Sequence, residues 1–166
     1  MSDTLKPGLT ATCRITVDTA RTIGFMGEEL RVYSTPSLLY DVEVACRELI
    51  LPHVGEGKDS VGTRVAFDHV GATLLGMWVE ITVTLTEVNG PAVTFEFSAR
   101  DAVEEVARGK HNRFVVGLEK TAQRLKAKQA KAKRKPKFVA PTLPAAKEIL
   151  EMILAHPVAR ERGLTE

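Results

Sequence analysis

The stretch Thr35-Pro36-Ser37-Leu38-Leu39-Tyr40-Asp41-Val42-Glu43-Val44-Ala45-Cys46-Arg47-Glu48-Leu49-Ile50 decides the fold. Thr35 is a good N-cap, and Pro36 a good first helical residue because its fixed φ and missing N–H are harmless in a first turn. Leu38, Leu39, Val42, Ala45, Cys46, Leu49 and Ile50 then recur at helical spacing until Pro52 stops the run. The pattern predicts one long helix, apolar enough to be largely buried.

Around this helix the apolar period changes to two. Leu9 to Val17 alternates loosely and reads as a first strand, followed by a loop through Gly24 and Gly27. On the far side, His53 to Ser60, with Gly55 and Gly57, reads as a loop leading to a strand over Gly62 to Val70. Between Met77 and Val88 the alternation is cleanest: Val79, Ile81, Val83 and Leu85 face one way, and Glu80, Thr82, Thr84 and Thr86 the other. Asn89-Gly90 is a strong hairpin signal, and Val93, Phe95, Phe97 and Ala99 continue the pattern on the returning strand. Val106 to Leu118 reads as a last long strand, with Gly109 the expected position of a bulge. A long antiparallel meander following one central helix is an α+β arrangement. Its economical packing is a curved sheet wrapped around that helix.

The chain has 166 residues, 44% hydrophobic and 27% charged, which suits one compact domain plus a tail. Residues 1–120 are expected to form that domain, 121–140 a basic linker, and 141–166 a short amphipathic helix. The linker's charge is conspicuous, because residues 119–137 hold nine Lys and Arg against the single acid Glu119. No aromatic residue precedes Phe138 there to stack on bases, so a solvated, partly helical tail is favoured, with nucleic-acid binding through residues 120–137 a lesser reading. In the last segment Ile149, Leu150, Met152, Ile153 and Leu154 lie between Pro144 and Pro157 at mixed helical spacing. Cys13 and Cys46 are too few for a disulfide framework and have no zinc-like spacing with the histidines. A reduced, cytoplasmic protein with no metal is expected. The short polar start from Met1 to Gly8 and the lack of any run of 18 apolar residues speak against secretion and membrane spanning.

Three polar residues in apolar, regular surroundings carry the chemistry: Thr35 opening the helix, Glu43 within it, and His69 closing a strand. A hydroxyl, a carboxylate and an imidazole are the usual parts of a hydrolytic site. Thr35 would lie beside the free N–H groups of the first helical turn, where charge on an oxyanion is stabilised. A carboxylate held among apolar groups is a usable base or nucleophile near neutral pH. The bland alternative for Glu43 is an exposed face shared with Asp41, Arg47 and Glu48, with a Glu43–Arg47 ion pair at i,i+4. His69 is followed by Val70-Gly71-Ala72-Thr73, small residues that leave space beside the imidazole. Eight residues of straight helix place Thr35 about 12 Å from Glu43, too far for one cluster of side chains. Either the helix starts beyond Pro36, or substrate spans the gap, or two subunits contribute.

Ser34-Thr35-Pro36 through Glu43-Val44-Ala45-Cys46, then Ser60-Val61-Gly62-Thr63, Phe67-Asp68-His69-Val70-Gly71-Ala72-Thr73 and Gly109-Lys110-His111-Asn112-Arg113 together resemble the fluoroacetyl-CoA thioesterase group of hot-dog-fold proteins over roughly residues 9–120. The resemblance implies catalytic roles for Thr35, Glu43 and His69, places Gly62 at the acyl end of the site, and implies a homodimer with sites at its interface. It also implies acyl-CoA as substrate, so that CoA enters as part of the substrate and no separate cofactor is expected. Arg64, Arg108, Lys110 and Arg113 are the cations expected to meet its phosphates, with Gly71 beside the imidazole. The chain departs from the pattern where the namesake enzyme has a phenylalanine lid a few residues before the threonine, because Glu29 and its neighbours stand here. Hydrolysis of a small acyl-CoA thioester is therefore the expected activity. A non-catalytic acyl-CoA-binding or regulatory module is the alternative. A hydratase is disfavoured because Asp68 and His69, adjacent on a strand, point to opposite faces.

Overall fold

The computed structural model describes residues 4–133. Among these residues an antiparallel sheet of five strands curves around one long helix, as the sequence patterns predict. The strands are β1 (Thr10–Thr16), β4 (Lys58–His69), β5 (Trp78–Asn89), β6 (Ala92–Arg100) and β7 (Glu105–Gly117), in spatial order β1-β5-β6-β7-β4. The helix is α1 (Thr35–Ile50), and a two-stranded ribbon, β2 (Thr22–Ile23) with β3 (Val32–Tyr33), leads into it. Residues 118–133 form α2 (Leu118–Lys133), a helix with no buried residue that carries the basic run as far as Lys133. The amphipathic segment expected beyond residue 140 lies outside the described residues. Among those residues no helix is long and apolar enough to cross a membrane.

The core forms where the apolar stripe of α1 meets the inward face of the meander. Leu38, Val42, Cys46 and Ile50 are fully buried, and so are Val79, Ile81, Val83 and Leu85 opposite them. One irregularity departs from the expected alternation. The register shifts between Leu85 and Glu87, so that Val88 rather than Glu87 packs on the core. The Asn89-Gly90 signal holds: Asn89 pairs with Ala92, and Gly90 takes a positive φ of 55°.

Two expectations for the last strands need correction. β4 begins at Lys58 rather than Gly62, because Lys58 to Val61 pair with Gly117 to Phe114. The bulge lies in β4 between Gly62 and Arg64, while Gly109 keeps regular register with both Phe67 and Phe97. Gly109 is a site of close approach instead: a Cβ there would run into the Ala66 carbonyl oxygen and the Phe97 ring.

A buried polar network ties the β2–β3 ribbon to α1. Asp41, placed on an exposed helix face by the sequence reading, is only 6% exposed. It accepts from Arg21 Nε at 2.9 Å and from the Tyr33 hydroxyl. Burial and the adjacent Asp41 carboxylate both hold the Tyr33 phenol well above its ordinary range. The Ser34 amide donates to the Arg21 carbonyl and the Tyr33 amide to that of Thr73, which fixes the entry to α1 against the loop after β4.

Candidate active site

The first turn of α1 frees Thr35 for other work. Ser34, not Thr35, is the N-cap, its hydroxyl accepting from the Ser37 amide, and Thr35 is the first helical residue with Pro36 next. The Thr35 hydroxyl instead lies 2.8 Å from His69 Nδ1 at the end of β4. Both line a cavity of about 320 Å³ whose walls include Ile23, Phe25, Val32 and Gly71. Glu29 sits in a 3-10 turn and does not line this cavity, whose aromatic rings include those of Phe25 and Tyr33. Gly71 is close-packed, since a Cβ on it would come within 2.6 Å of the Glu105 carbonyl oxygen. His69 Nε2 is buried without a hydrogen-bond partner. Burial lowers the His69 pKa, and the Gly71 backbone opposes part of this without reaching hydrogen-bond geometry at Nε2.

Glu43 lies two turns further along α1, in a separate cluster. Its side chain is 42% exposed, against the expectation of burial, and its Oε1 is 3.4 Å from Nε2 of the fully buried His111 on β7. The carboxylate occupies the space above Gly62, where any Cβ would overlap Oε1. The alternative Glu43–Arg47 pair does not form, because Arg47 is drawn to Asp59 at 2.6 Å and to Glu48 at 2.6 Å.

The four cations expected to meet the phosphates separate into one buried and three exposed. Arg113 is 5% exposed, with Nε donating to Ser60 Oγ, Nη2 to the Ser60 carbonyl and Nη1 to the Glu43 carbonyl. It therefore braces α1 against β4. Arg64 is exposed on β4, Arg108 pairs with Glu105 at 3.2 Å and Lys110 with Glu96 at 2.8 Å, all on the outer face.

The sequence reading gave His111 no role, naming it only within the Gly109–Arg113 run and as a histidine without metal-like spacing. The signal was the alternation of β7: Ala107, Gly109, His111, Arg113 and Val115 share the inward face. An imidazole and a guanidinium on that face had to find partners on α1 or β4. α1 starts at Thr35, so a later helix start does not bring Thr35 and Glu43 together.

His111, which is buried, and His69, which is half-buried, are both held below their ordinary value of 6.5, mainly by desolvation. The unfolded chain then binds protons at a higher pH than the folded one, and stability rises with pH through that window. We expect the thermal unfolding temperature to fall as pH is lowered from about 7 toward about 5, with stability lost by at most about 1.4 kcal/mol per pH unit for each histidine. A melting temperature that rises on acidification over this range would contradict the assignment of these two groups.

Known proteins share this fold. The family model described as fluoroacetyl-CoA-specific thioesterase matches residues 17–119. A fluoroacetyl-CoA thioesterase of Streptantibioticus cattleyicolor is 33% identical over 97 residues, which are 58% of this chain and 70% of that protein. A variant of the thioesterase FlK, solved with fluoroacetate and CoA, is 29% identical with a TM-score of 0.65, over 70% of this chain and 99% of the other. A hot-dog-like protein from Thermanaerovibrio acidaminovorans is 26% identical with a TM-score of 0.68, over 74% and 91% of the two chains.

Proposed function

We propose, from the premise that this chain belongs to the fluoroacetyl-CoA-specific thioesterase family and is a thioester hydrolase of hot-dog fold, that it hydrolyses a small acyl-CoA thioester with Thr35, Glu43 and His69 as its catalytic residues. The observation that carries the reading is the Thr35–His69 pair at 2.8 Å, lining a cavity at the N-terminus of a 16-residue helix. A thioester carbonyl gains negative charge under attack, and a helix N-terminus presents unpaired N–H groups and a positive dipole end to it. Thr35 adds a hydroxyl whose orientation His69 Nδ1 controls. With that nitrogen accepting from Thr35, neutral His69 keeps its proton on Nε2 and orients the Thr35 hydroxyl, while the departing thiolate takes the proton that Glu43 removed from water. Glu43 is the base that takes a proton from water. Water is the only co-reactant, so no cofactor is required.

The separation of Glu43 from Thr35 along α1, about 12 Å of helix, is met by a homodimer in which one protomer's Glu43 faces its partner's Thr35–His69 pair. Support comes from β4, an edge strand of 12 residues paired on one side only, with Val61 45% and Val65 38% exposed. Cytoplasmic residence is supported by the two free thiols Cys13 and Cys46, the latter buried and pushed up to about 12 by desolvation.

The test is a panel of acyl-CoA thioesters of increasing chain length and polarity, with thiol release as readout. Release is expected from the shortest acyl groups, with kcat/KM of about 10⁴ M⁻¹s⁻¹ or more for the preferred one. Tight acyl-CoA binding with no release from any member would replace the hydrolase reading by that of a binding module.

A further inference from the structure

His111 has a fixed tautomer. Its Nδ1 is 3.0 Å from the Arg64 carbonyl, which only accepts, so Nδ1 carries the proton. Its Nε2 is 3.1 Å from Arg113 Nη1, and a guanidinium only donates, so Nε2 is a bare acceptor. The ring is therefore a neutral imidazole with one lone pair directed at the cluster. The groups facing it come from four elements: the Phe95 ring stacks at 6.5 Å from β6, the Arg64 carbonyl comes from β4, Arg113 from β7, and Glu43 from α1. Burial, aided by the Arg113 charge, disfavours a second proton on the ring and outweighs the Arg64 carbonyl and Glu43, which favour it.

Glu43 Oε1 is 3.4 Å from the same Nε2. Between a carboxylate and a bare imidazole nitrogen there is no hydrogen to share. Once the carboxyl holds a proton, O–H and Nε2 are donor and acceptor at a separation that a small side-chain movement closes. Arg113 gives up little when that happens, because Nη1 also has the Glu43 carbonyl at 3.3 Å.

We propose that His111 is a positioning residue for Glu43: its Nε2 accepts a hydrogen bond from the Glu43 carboxyl after Glu43 has taken a proton from the attacking water, and so fixes the protonated carboxyl over Gly62. The inference rests on the reading of Glu43 as the base. The proton balance is that of ordinary hydrolysis. An O–H bond of water breaks, its electron pair forms the bond to the thioester carbon, and the proton rests on Glu43 Oε1. It then passes to the departing thiolate, which leaves as the thiol and regenerates the carboxylate. The β4 bulge between Gly62 and Arg64 belongs to the same device. It clears space for the carboxylate at Gly62 and turns the Arg64 carbonyl onto His111 Nδ1.

The test uses the full chain and two variants. His111→Phe keeps a ring against Phe95 and removes both nitrogens, whereas His111→Gln keeps an acceptor near the position of Nε2. On the preferred thioester, His111→Phe is expected to lower kcat about 10²-fold with KM nearly unchanged, and His111→Gln to recover roughly tenfold of that loss. A role in packing alone would move melting temperatures without this split and without rescue. Should His111→Phe not fold, ¹⁵N-detected spectra of the wild-type imidazole still decide. The expected result is a neutral Nδ1–H ring near neutral pH, with an Nε2 shift that changes in Glu43→Gln. Wild-type kcat in His111→Phe, failure of folded His111→Gln to recover, or an Nε2–H or doubly protonated ring would each overturn the inference. If Glu43→Gln itself retained full turnover, the base assignment would fall first. Loss in Glu43→Gln beside undiminished His111→Phe would sink this inference alone.

Discussion

Glu43→Gln keeps the fold and lowers kcat/KM on the preferred thioester by about 10²–10⁴, the usual contribution of a positioned general base. Glutamine has the shape of glutamate and fills the same space above Gly62, so the substitution removes the proton acceptor and little else. The side chain is 42% exposed and its carboxylate makes no buried ion pair with a cation, so stability is expected to change by less than about 0.5 kcal/mol. The glutamine amide can also donate to His111 Nε2, which leaves the cluster satisfied. Activity and stability are thus decoupled, and thermal melting beside thiol-release kinetics reads both. A Gln variant with unreduced kcat/KM on every cleaved thioester removes Glu43 from the mechanism.

Asp41→Ala is the counterpart, with a large effect on stability that originates away from the reacting groups. Its carboxylate is buried and accepts from Arg21 Nε at 2.9 Å, Arg21 Nη2 at 3.3 Å and the Tyr33 hydroxyl. Alanine strands the Tyr33 hydroxyl in a fully buried site, at about 1–3 kcal/mol. It also leaves Arg21 without its main partner, although Arg21 is 32% exposed and can turn toward water and Asp18. The expected total is about 3 kcal/mol by urea unfolding, below the upper end for a fully buried pair. Tyr33→Phe, which removes one donor and leaves the Arg21–Asp41 pair, should cost about 1 kcal/mol. The β2–β3 ribbon walls the Thr35–His69 cavity, so Asp41→Ala should also weaken substrate binding. A destabilisation under about 1 kcal/mol would show that the network does not clamp the ribbon.

The clamp shows what local reading misses. Asp41, Glu43, Arg47 and Glu48 are four charged residues on one helix, and periodicity puts them together on a solvated side. In the folded chain Asp41 is taken by Arg21 and Tyr33, Arg47 by Asp59, and Glu43 meets His111. Partners 8 to 68 residues away prevail because an exposed i,i+4 pair is worth only a few tenths of a kcal/mol, whereas the buried Asp41 carboxylate left unpaired would cost several.

By itself the sequence determined the long helix, the antiparallel meander with its inward residues, the Asn89-Gly90 hairpin, and the choice of Thr35, Glu43 and His69 as the residues to watch. These follow from periodicity, from turn chemistry and from polar residues in apolar company, which act over a few residues and stand in the sequence as written. Only the tertiary structure decided that Ser34 caps the helix and leaves Thr35 to His69, that the bulge falls at Gly62–Arg64 rather than Gly109, and that His111 and Arg113 turn inward to meet α1 at Glu43. Those outcomes depend on which strand pairs with which and in what register. Pairing and register are set by the whole packed sheet, and a single extra residue in one strand redirects everything beyond it.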